Sequence, residues 1–459
     1  MRRPSPRSRP TRFAKPAVAL AIAALLAVSG CAGAGSFTSG GGDTVTIAMV
    51  SNSQMRDAIA LSGEFERENP GTKLKFVSLS ENEARAKITA SVATGGGEFD
   101  VVMISNYETP QWAANGWLVD LSTYARQTPG YDEQDFIPSL RKSLSYNGDM
   151  YSVPFYGESS FLMYRKDLLE QAGLTMPAEP TWDQVAQAAA KLDDPASGRS
   201  GICLRGKPGW GESLAPLNTV INTFGGRWFD ENWHAQLTSP EVVAAVEFYI
   251  GLVRAHGEPG AATSGFGECA TQLSQGNTAM WYDATSAVGV LEDPASSKVV
   301  GKIGYVLAPT MRKPNSGWLY TWSLGIPKSS DKPDAAWKFI SWMTGKPYIE
   351  MVGQRLGWSH VPPGSRQSTY EIPEYKEASK AYGPLTLAAM SGVDPEHPTV
   401  QPVPYTGIQF ITIPEFQDLG TRVSQQISAA VAGRISVRAA LEQAQQYAET
   451  VGRSYRGNQ

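Results

Sequence analysis

Between residues 44 and 105 the chain alternates strand and helix patterns, and nothing else in it limits the available folds so tightly. Val45, Ile47 and Met49 recur in period two over residues 44–50, as on a strand with one face in a core. Met55, Ile59 and Phe65 predict the buried face of a helix over 55–68, which Asn69-Pro70-Gly71 stops. A second strand is expected over 73–79 and a second helix over 82–94, ended by Gly95, Gly96 and Gly97. Residues 99–105 are almost wholly apolar, the composition of a parallel strand covered on both faces. A β-α-β-α-β order implies an α/β chain with a mostly parallel open sheet. Ligands on such sheets sit beyond the carboxyl ends of the strands. Asn52, Glu81 and the loop Asn106-Tyr107-Glu108 should therefore meet at one mouth.

Later helices are well punctuated. Thr181 and Gln184 form a capping box ahead of a helix over 185–192. Ser239, with Pro240 at the first helical position, opens another that runs to Gly257. Asp331 begins a third, with Trp337, Ile340 and Trp342 on its buried side and Gly345 at its end. The Pro-, Gly- and Trp-rich stretch 201–229 reads as functional loop. With 459 residues and 42% hydrophobic content, two lobes are expected rather than one.

The first residues carry an export signal. Arg2, Arg3, Arg7, Arg9, Arg12 and Lys15 make a basic region without an acidic residue, and residues 16–28 are a short Ala/Leu-rich stretch. The apolar stretch is too short for a comfortable span, and the pattern reads as a signal peptide over 1–30. Arg2-Arg3 lacks the rest of a twin-Arg signal, so the export route stays open. Val28-Ser29-Gly30-Cys31 resembles a lipobox, which implies that Cys31 is acylated and anchors the chain to the outer face of a bacterial membrane. Residues 31–43 are expected to be a flexible tether. Loss of the six basic residues takes the formal net charge from −4 to −10, which disfavours nucleic acid as a partner.

With Cys31 assigned to lipid, Cys203 and Cys269 remain, to be either one disulfide or two buried thiols. No Cys/His spacing for a metal occurs, and no nucleophile elbow, zinc-protease pair, P-loop or dinucleotide fingerprint. A glycosidase needs only two well-placed carboxylates, and the composition leaves that open. Aromatic and polar residues interleave in loops: Tyr156-Gly157-Glu158, Arg205 to Glu212, and Trp281-Tyr282-Asp283. Polyhydroxylated ligands need this mixture, aromatic faces for their C–H patches and charged groups for their hydroxyls. One of Trp281 and Tyr282 should pack in the core while the other approaches a hinge.

Gly276-Asn277-Thr278-Ala279-Met280-Trp281, Met163-Tyr164-Arg165-Lys166-Asp167-Leu168 and Asp334-Ala335-Ala336-Trp337-Lys338-Phe339 resemble segments of the solute-binding subunits of ABC importers in the maltose-binding group. Four stretches are similar to its sorbitol/mannitol-type polyol binders. They are Gly116-Trp117-Leu118 after Tyr107-Glu108, Pro154 to Ser160, Gly201 to Lys207, and Pro404-Tyr405-Thr406-Gly407 through Pro414-Glu415-Phe416-Gln417. The resemblance implies a two-lobed periplasmic-binding-protein fold with a ligand cleft between lobes and a three-segment hinge, near Pro154, Asp283 and Ile326. Lobe 1 would hold 44–154 and 284–326, lobe 2 155–283 and 327–459. It implies ligand contacts at Asn52, Tyr107, Glu108, Tyr156, Glu158, Arg205, Trp210, Asp283 and Trp322, and extends them to Glu81, Lys207 and Glu415. Glu158 could instead cap the hinge, Asp283 brace it, and Trp322 pack in the core. The expected function is monomeric capture of a sugar alcohol for the importer's membrane subunits, without cofactor or catalysis. A mono- or disaccharide ligand and a secreted carbohydrate-active enzyme are the alternatives.

Overall fold

The computed structural model describes residues 43–457; the expected signal peptide, Cys31 and all but the last residue of the expected tether lie outside them. The opening alternation folds as its periodicity requires. Strand β1 (Asp43–Val50), helix α1 (Ser53–Glu68), β2 (Thr72–Leu79), α2 (Glu81–Ala93) and β3 (Val101–Ser105) follow one another, with β1 parallel to both β2 and β3. All five residues of β3 are buried, the burial that its continuous apolar run predicts. On α1 the buried stripe runs through Met55, Ala58, Leu61 and Phe65. Ile59, expected on that face, is exposed, because a step of four from Met55 carries it past the stripe.

A small hairpin, β4 (Ser145–Tyr146) with β5 (Asp149–Met150), precedes two long strands, β6 (Ser152–Glu158) and β7 (Ser160–Arg165). Only Ser159 separates them, yet they belong to different sheets. β6 completes a five-stranded sheet of order β2-β1-β3-β10-β6, in which β10 (Tyr320–Gly325) runs antiparallel to both neighbours. β7 is the middle of a three-stranded antiparallel sheet between β8 (Met280–Ala284) and β9 (Ile303–Leu307). The chain thus passes between lobes at Ser159, where Thr285 N donates to the Ser159 carbonyl at 2.8 Å. It passes back between Leu307 and Tyr320. The crossing expected near Asp283 does not occur, because β8 and β9 share the second sheet and Ala287, Val288 and Leu291 between them stay in the apolar cluster of β7 and β8.

These crossings correct the expected boundaries. The first lies at Ser159 rather than Pro154. β9, expected in the first lobe, pairs with β7 in the second sheet. There is no crossing at Ile326. Its carbonyl accepts from Val119 N at 2.9 Å, Lys328 N donates to Trp117 O at 2.7 Å, and the helix Pro333–Met343 packs on β1 and α1. In that helix Trp337 and Ile340 are buried and Trp342 is half-buried. The chain returns to the second lobe with Phe416–Val431 and Val437–Arg456, which pack on Pro240–His256. The stretch 201–229 is not all loop, since it contains the wholly buried helix Leu214–Thr223. Trp281 and Tyr282 are both buried; Tyr282 reaches the crossing, its hydroxyl 2.9 Å from that of Ser160.

Candidate functional site

β6 and β10 build one wall of a cavity by strand periodicity alone. Tyr156 pairs with Trp322 and Glu158 with Tyr320, so these four side chains share a face, and all four line a space of about 570 Å³. The first lobe adds the ends of its parallel strands. Asn52, after β1, caps α1 by accepting from Met55 N at 2.9 Å and donates Nδ2 to the Tyr156 hydroxyl at 2.9 Å. Glu81 opens α2, and one turn later Arg85 donates to its Oε1 through Nε (3.0 Å) and Nη2 (2.9 Å).

Arg85 is buried and fully engaged. It donates to Glu108 Oε1 at 3.0 Å and the Tyr320 hydroxyl at 2.6 Å, and its guanidinium lies 4.2 Å from the Trp210 ring centroid and 4.8 Å from that of Trp322. Arg205 is the corresponding cation of the second lobe. It meets Asp283 through two bonds, Nε to Oδ2 at 2.7 Å and Nη2 to Oδ1 at 2.5 Å, and donates Nη1 to the Gly211 carbonyl at 3.0 Å. Glu212 stands 3.6 Å from the same Nη1. Lys207 sits between Glu212 and Glu268, at 3.6 and 3.8 Å. Asp283 also accepts from Trp281 Nε1 and from its neighbour Ala284 N. Both guanidinium groups therefore face two carboxylates apiece.

Two cavity carboxyls are displaced from their ordinary range. Burial pushes Glu158 up to about 8; the hydroxyl bond from Ser286 (2.5 Å) and the more distant Arg205 oppose this, while Asp283 and Glu81 add to it. Burial and the facing Glu81 push Glu212 up to about 7, against Arg205 and Lys207.

The halves of the cavity touch through the loop 206–212. Asn82 Nδ2 donates to the Pro208 carbonyl at 2.9 Å, and Gly209 and Gly211 lie flat against α2. A Cβ on Gly211 would come within 2.5 Å of Glu81 Oε1 and 2.7 Å of Arg85 Nε. Gly209 has φ +146° and no room beside Asn82.

Seven of the twelve expected contacts line the cavity: Asn52, Glu81, Tyr156, Glu158, Arg205, Lys207 and Trp322. Four lie directly behind it. Glu108 and Trp210 hold Arg85 from two sides, and Asp283 holds Arg205. Tyr107 packs on Trp210 and donates to the Ile413 carbonyl at 2.8 Å. Glu415 is elsewhere: exposed ahead of Phe416–Val431, it accepts from the Tyr455 hydroxyl at 2.8 Å. Sequence reasoning missed Arg85, Ser286 and Tyr320, and reached Glu212 only as the end of the stretch 205–212. Arg85 had a signal, because Glu81, Arg85, Ile88 and Val92 run down one face of α2 and place a cation in an apolar stripe. Cys203 and Cys269 are joined, their Cα atoms 5.6 Å apart.

Residues 50–350 match the family model described as bacterial extracellular solute-binding protein. The chain belongs to that family. This solute-binding protein is 44% identical over 407 residues to the mannitol-binding protein of Pseudomonas aeruginosa, covering 88% of this chain and 92% of that one. A crystal structure of a solute-binding protein from Agrobacterium vitis with bound D-mannitol matches it with TM-score 0.88 and 44% identity, over 90% of this chain and 99% of that one. A second, from Agrobacterium radiobacter in complex with ribitol, matches with TM-score 0.77 and 26% identity, over 89% and 99%. The solute-binding protein thus has the two-lobed α/β fold of its relatives. Among the described residues no helix is long and apolar enough to cross a membrane.

Proposed function

We propose that this solute-binding protein captures an acyclic sugar alcohol of hexitol size, mannitol foremost, between its lobes and delivers it to the membrane subunits of an ABC importer. One observation carries the reading: a chain 44% identical, with the same fold over nine-tenths of the length, holds D-mannitol. The cavity chemistry agrees. Tyr156 and Trp322 offer apolar faces to C–H groups, while Glu81, Glu158, Glu212 and Lys207 offer charged or acidic partners to hydroxyls. In the same reading Cys31 carries the lipid that keeps a monomeric chain at the outer face of the membrane, and no bond is made or broken in the ligand.

Calorimetric titration of the chain from Gly35 onward with mannitol, sorbitol, ribitol, arabitol, glucose and maltose tests this. Saturable binding is expected for the acyclic polyols, with mannitol ahead and the pyranoses weak or silent. Tight binding of glucose or maltose instead would sink the polyol reading. Prolonged incubation with maltose should release no glucose; hydrolysis would turn the raised Glu158 into a glycosidase acid.

Closure carries a second prediction. Gly211→Ala places a methyl group where Glu81 and Arg85 meet the loop, and Arg85 has nowhere to retreat. Overpacking of this kind costs about 1–3 kcal/mol. It bears on the form in which the lobes meet, so mannitol affinity should fall roughly tenfold or more. The melting temperature without ligand should move much less. An unchanged dissociation constant would show that the loop gives way.

A further inference from the structure

Glu158 stands out in the charge arrangement of the cavity. Arg85 faces Glu81 and Glu108, Arg205 faces Asp283 and Glu212, and Lys207 lies between Glu212 and Glu268. Every one of these cations is already outnumbered. Glu158 lines the cavity at the crossing between the lobes and is 5% exposed. Among the described residues no cation lies within ion-pair distance of it, and its one hydrogen-bond partner is the Ser286 hydroxyl. The groups that face it are Tyr320 across the sheet, Tyr156 on its own strand, Glu81 from α2, and Asp283 and Arg205 from the second lobe. An uncharged ligand leaves this carboxyl without a counter-charge, whereas a ligand bearing a cation supplies one.

We propose that the cavity also takes a protonated amino polyol, an alditol with a primary ammonium in place of one hydroxyl, with the ammonium seated on Glu158. This rests on the polyol reading above and narrows it to a second substrate class. A polyol hydroxyl can accept the O–H of a neutral Glu158 carboxyl, so a sugar alcohol binds with that proton in place. An ammonium donates three N–H groups and accepts none. When it binds, the Glu158 proton passes to solvent and the carboxylate accepts from the ammonium; no covalent bond to carbon forms or breaks. An aldonic acid of the same length would find the two buried guanidiniums engaged with carboxylates, and the one other guanidinium that lines the cavity, Arg56, stands exposed on α1.

The two ligand classes therefore differ in proton stoichiometry. Burial holds the Glu158 carboxyl protonated at neutral pH. Binding of 1-amino-1-deoxysorbitol at pH 7 should release about one proton per chain, and binding of mannitol about none. Calorimetry in two buffers of different ionisation enthalpy reads this count from the unaltered protein. Amine affinity should rise nearly tenfold between pH 6.5 and 7.5 while mannitol affinity stays level, and excess mannitol should displace the amine. Glu158→Gln should raise the ratio of amine to mannitol dissociation constants at least tenfold. Mannitol binding with no amine binding at millimolar concentration overturns the proposal. Amine binding without proton release, or with an unchanged ratio in Glu158→Gln, does the same. Silence of both ligands removes the polyol reading, and this inference with it.

Discussion

Replacing Arg205 with Met is expected to destabilise the folded chain by roughly 3–5 kcal/mol, the cost of leaving one partner of a buried ion pair alone. The environment of Asp283 sets the size of the loss. Its side chain is fully buried, and without Arg205 it keeps only the Trp281 indole N–H and the Ala284 backbone N–H. Glu212 loses its nearest buried cation in the same step and retains Lys207 at 3.6 Å. The Gly211 carbonyl loses the Nη1 bond that shapes the loop against α2. Equilibrium urea unfolding at neutral pH reads the stability term, and mannitol titration of the folded variant reads the cavity term. Arg205→Met with Asp283→Leu should recover much of the stability, since removing both charges removes the unpaired one. It should not recover binding, because the loop anchor is still missing. A single variant within about 1 kcal/mol of the parent would mean that water reaches Asp283 and screens it.

The same pair shows what could be read from the sequence and what could not. Asp283 was an even choice between bracing the hinge and touching ligand, and it braces Arg205. A ligand contact and the residue that props a ligand contact draw on the same side-chain types. Depth from the cavity is a property of the assembled sheets. Tyr107, Glu108 and Trp210 missed the cavity for that reason, while Asn52, Tyr156 and Glu158 lay at strand ends or on a period-two face and could be placed. Arg85 went unseen because a helical Arg is ordinarily solvated, and only its burial between two indoles shows otherwise. The crossing at Ser159 has no punctuation, since β6 runs into β7 with one residue between them. Burial cannot tell such a chain from one continuous strand. Glu415 fell in a stretch resembling the polyol binders, but it opens a helix that turns its carboxylate to Tyr455.

Removing the bridge by Cys203→Ala with Cys269→Ala is expected to lower stability by about 4 kcal/mol, the loop entropy released to the unfolded chain by a link across 66 residues. The effect should extend beyond the unfolded state because of where the bridge lies. Cys203 N donates to the Met280 carbonyl at 2.8 Å, and two residues later the chain places Arg205. Cys269 sits in the helix Phe266–Ser274, whose Phe266 and Thr271 line the cavity. The bridge thus ties the loop that carries Arg205 and Lys207 to the helix on the other side of that wall. Both sulfurs are buried in a small apolar cluster with Phe161, Met163 and Trp281, so the paired Ala substitution also leaves space that the cluster must close. Urea unfolding of the parent with and without a strong reductant, beside the double variant, separates these contributions. The reduced parent should lose the loop term alone, and the double variant the loop term plus the packing term. Equal midpoints for oxidised and reduced parent would show that the thiols are unlinked in solution. In that case the Arg205 loop would rest on Asp283 and on hydrogen bonds alone, among them the Tyr249 hydroxyl to the Arg205 carbonyl at 2.8 Å, and the loss expected from Arg205→Met would remove the only charged anchor among them.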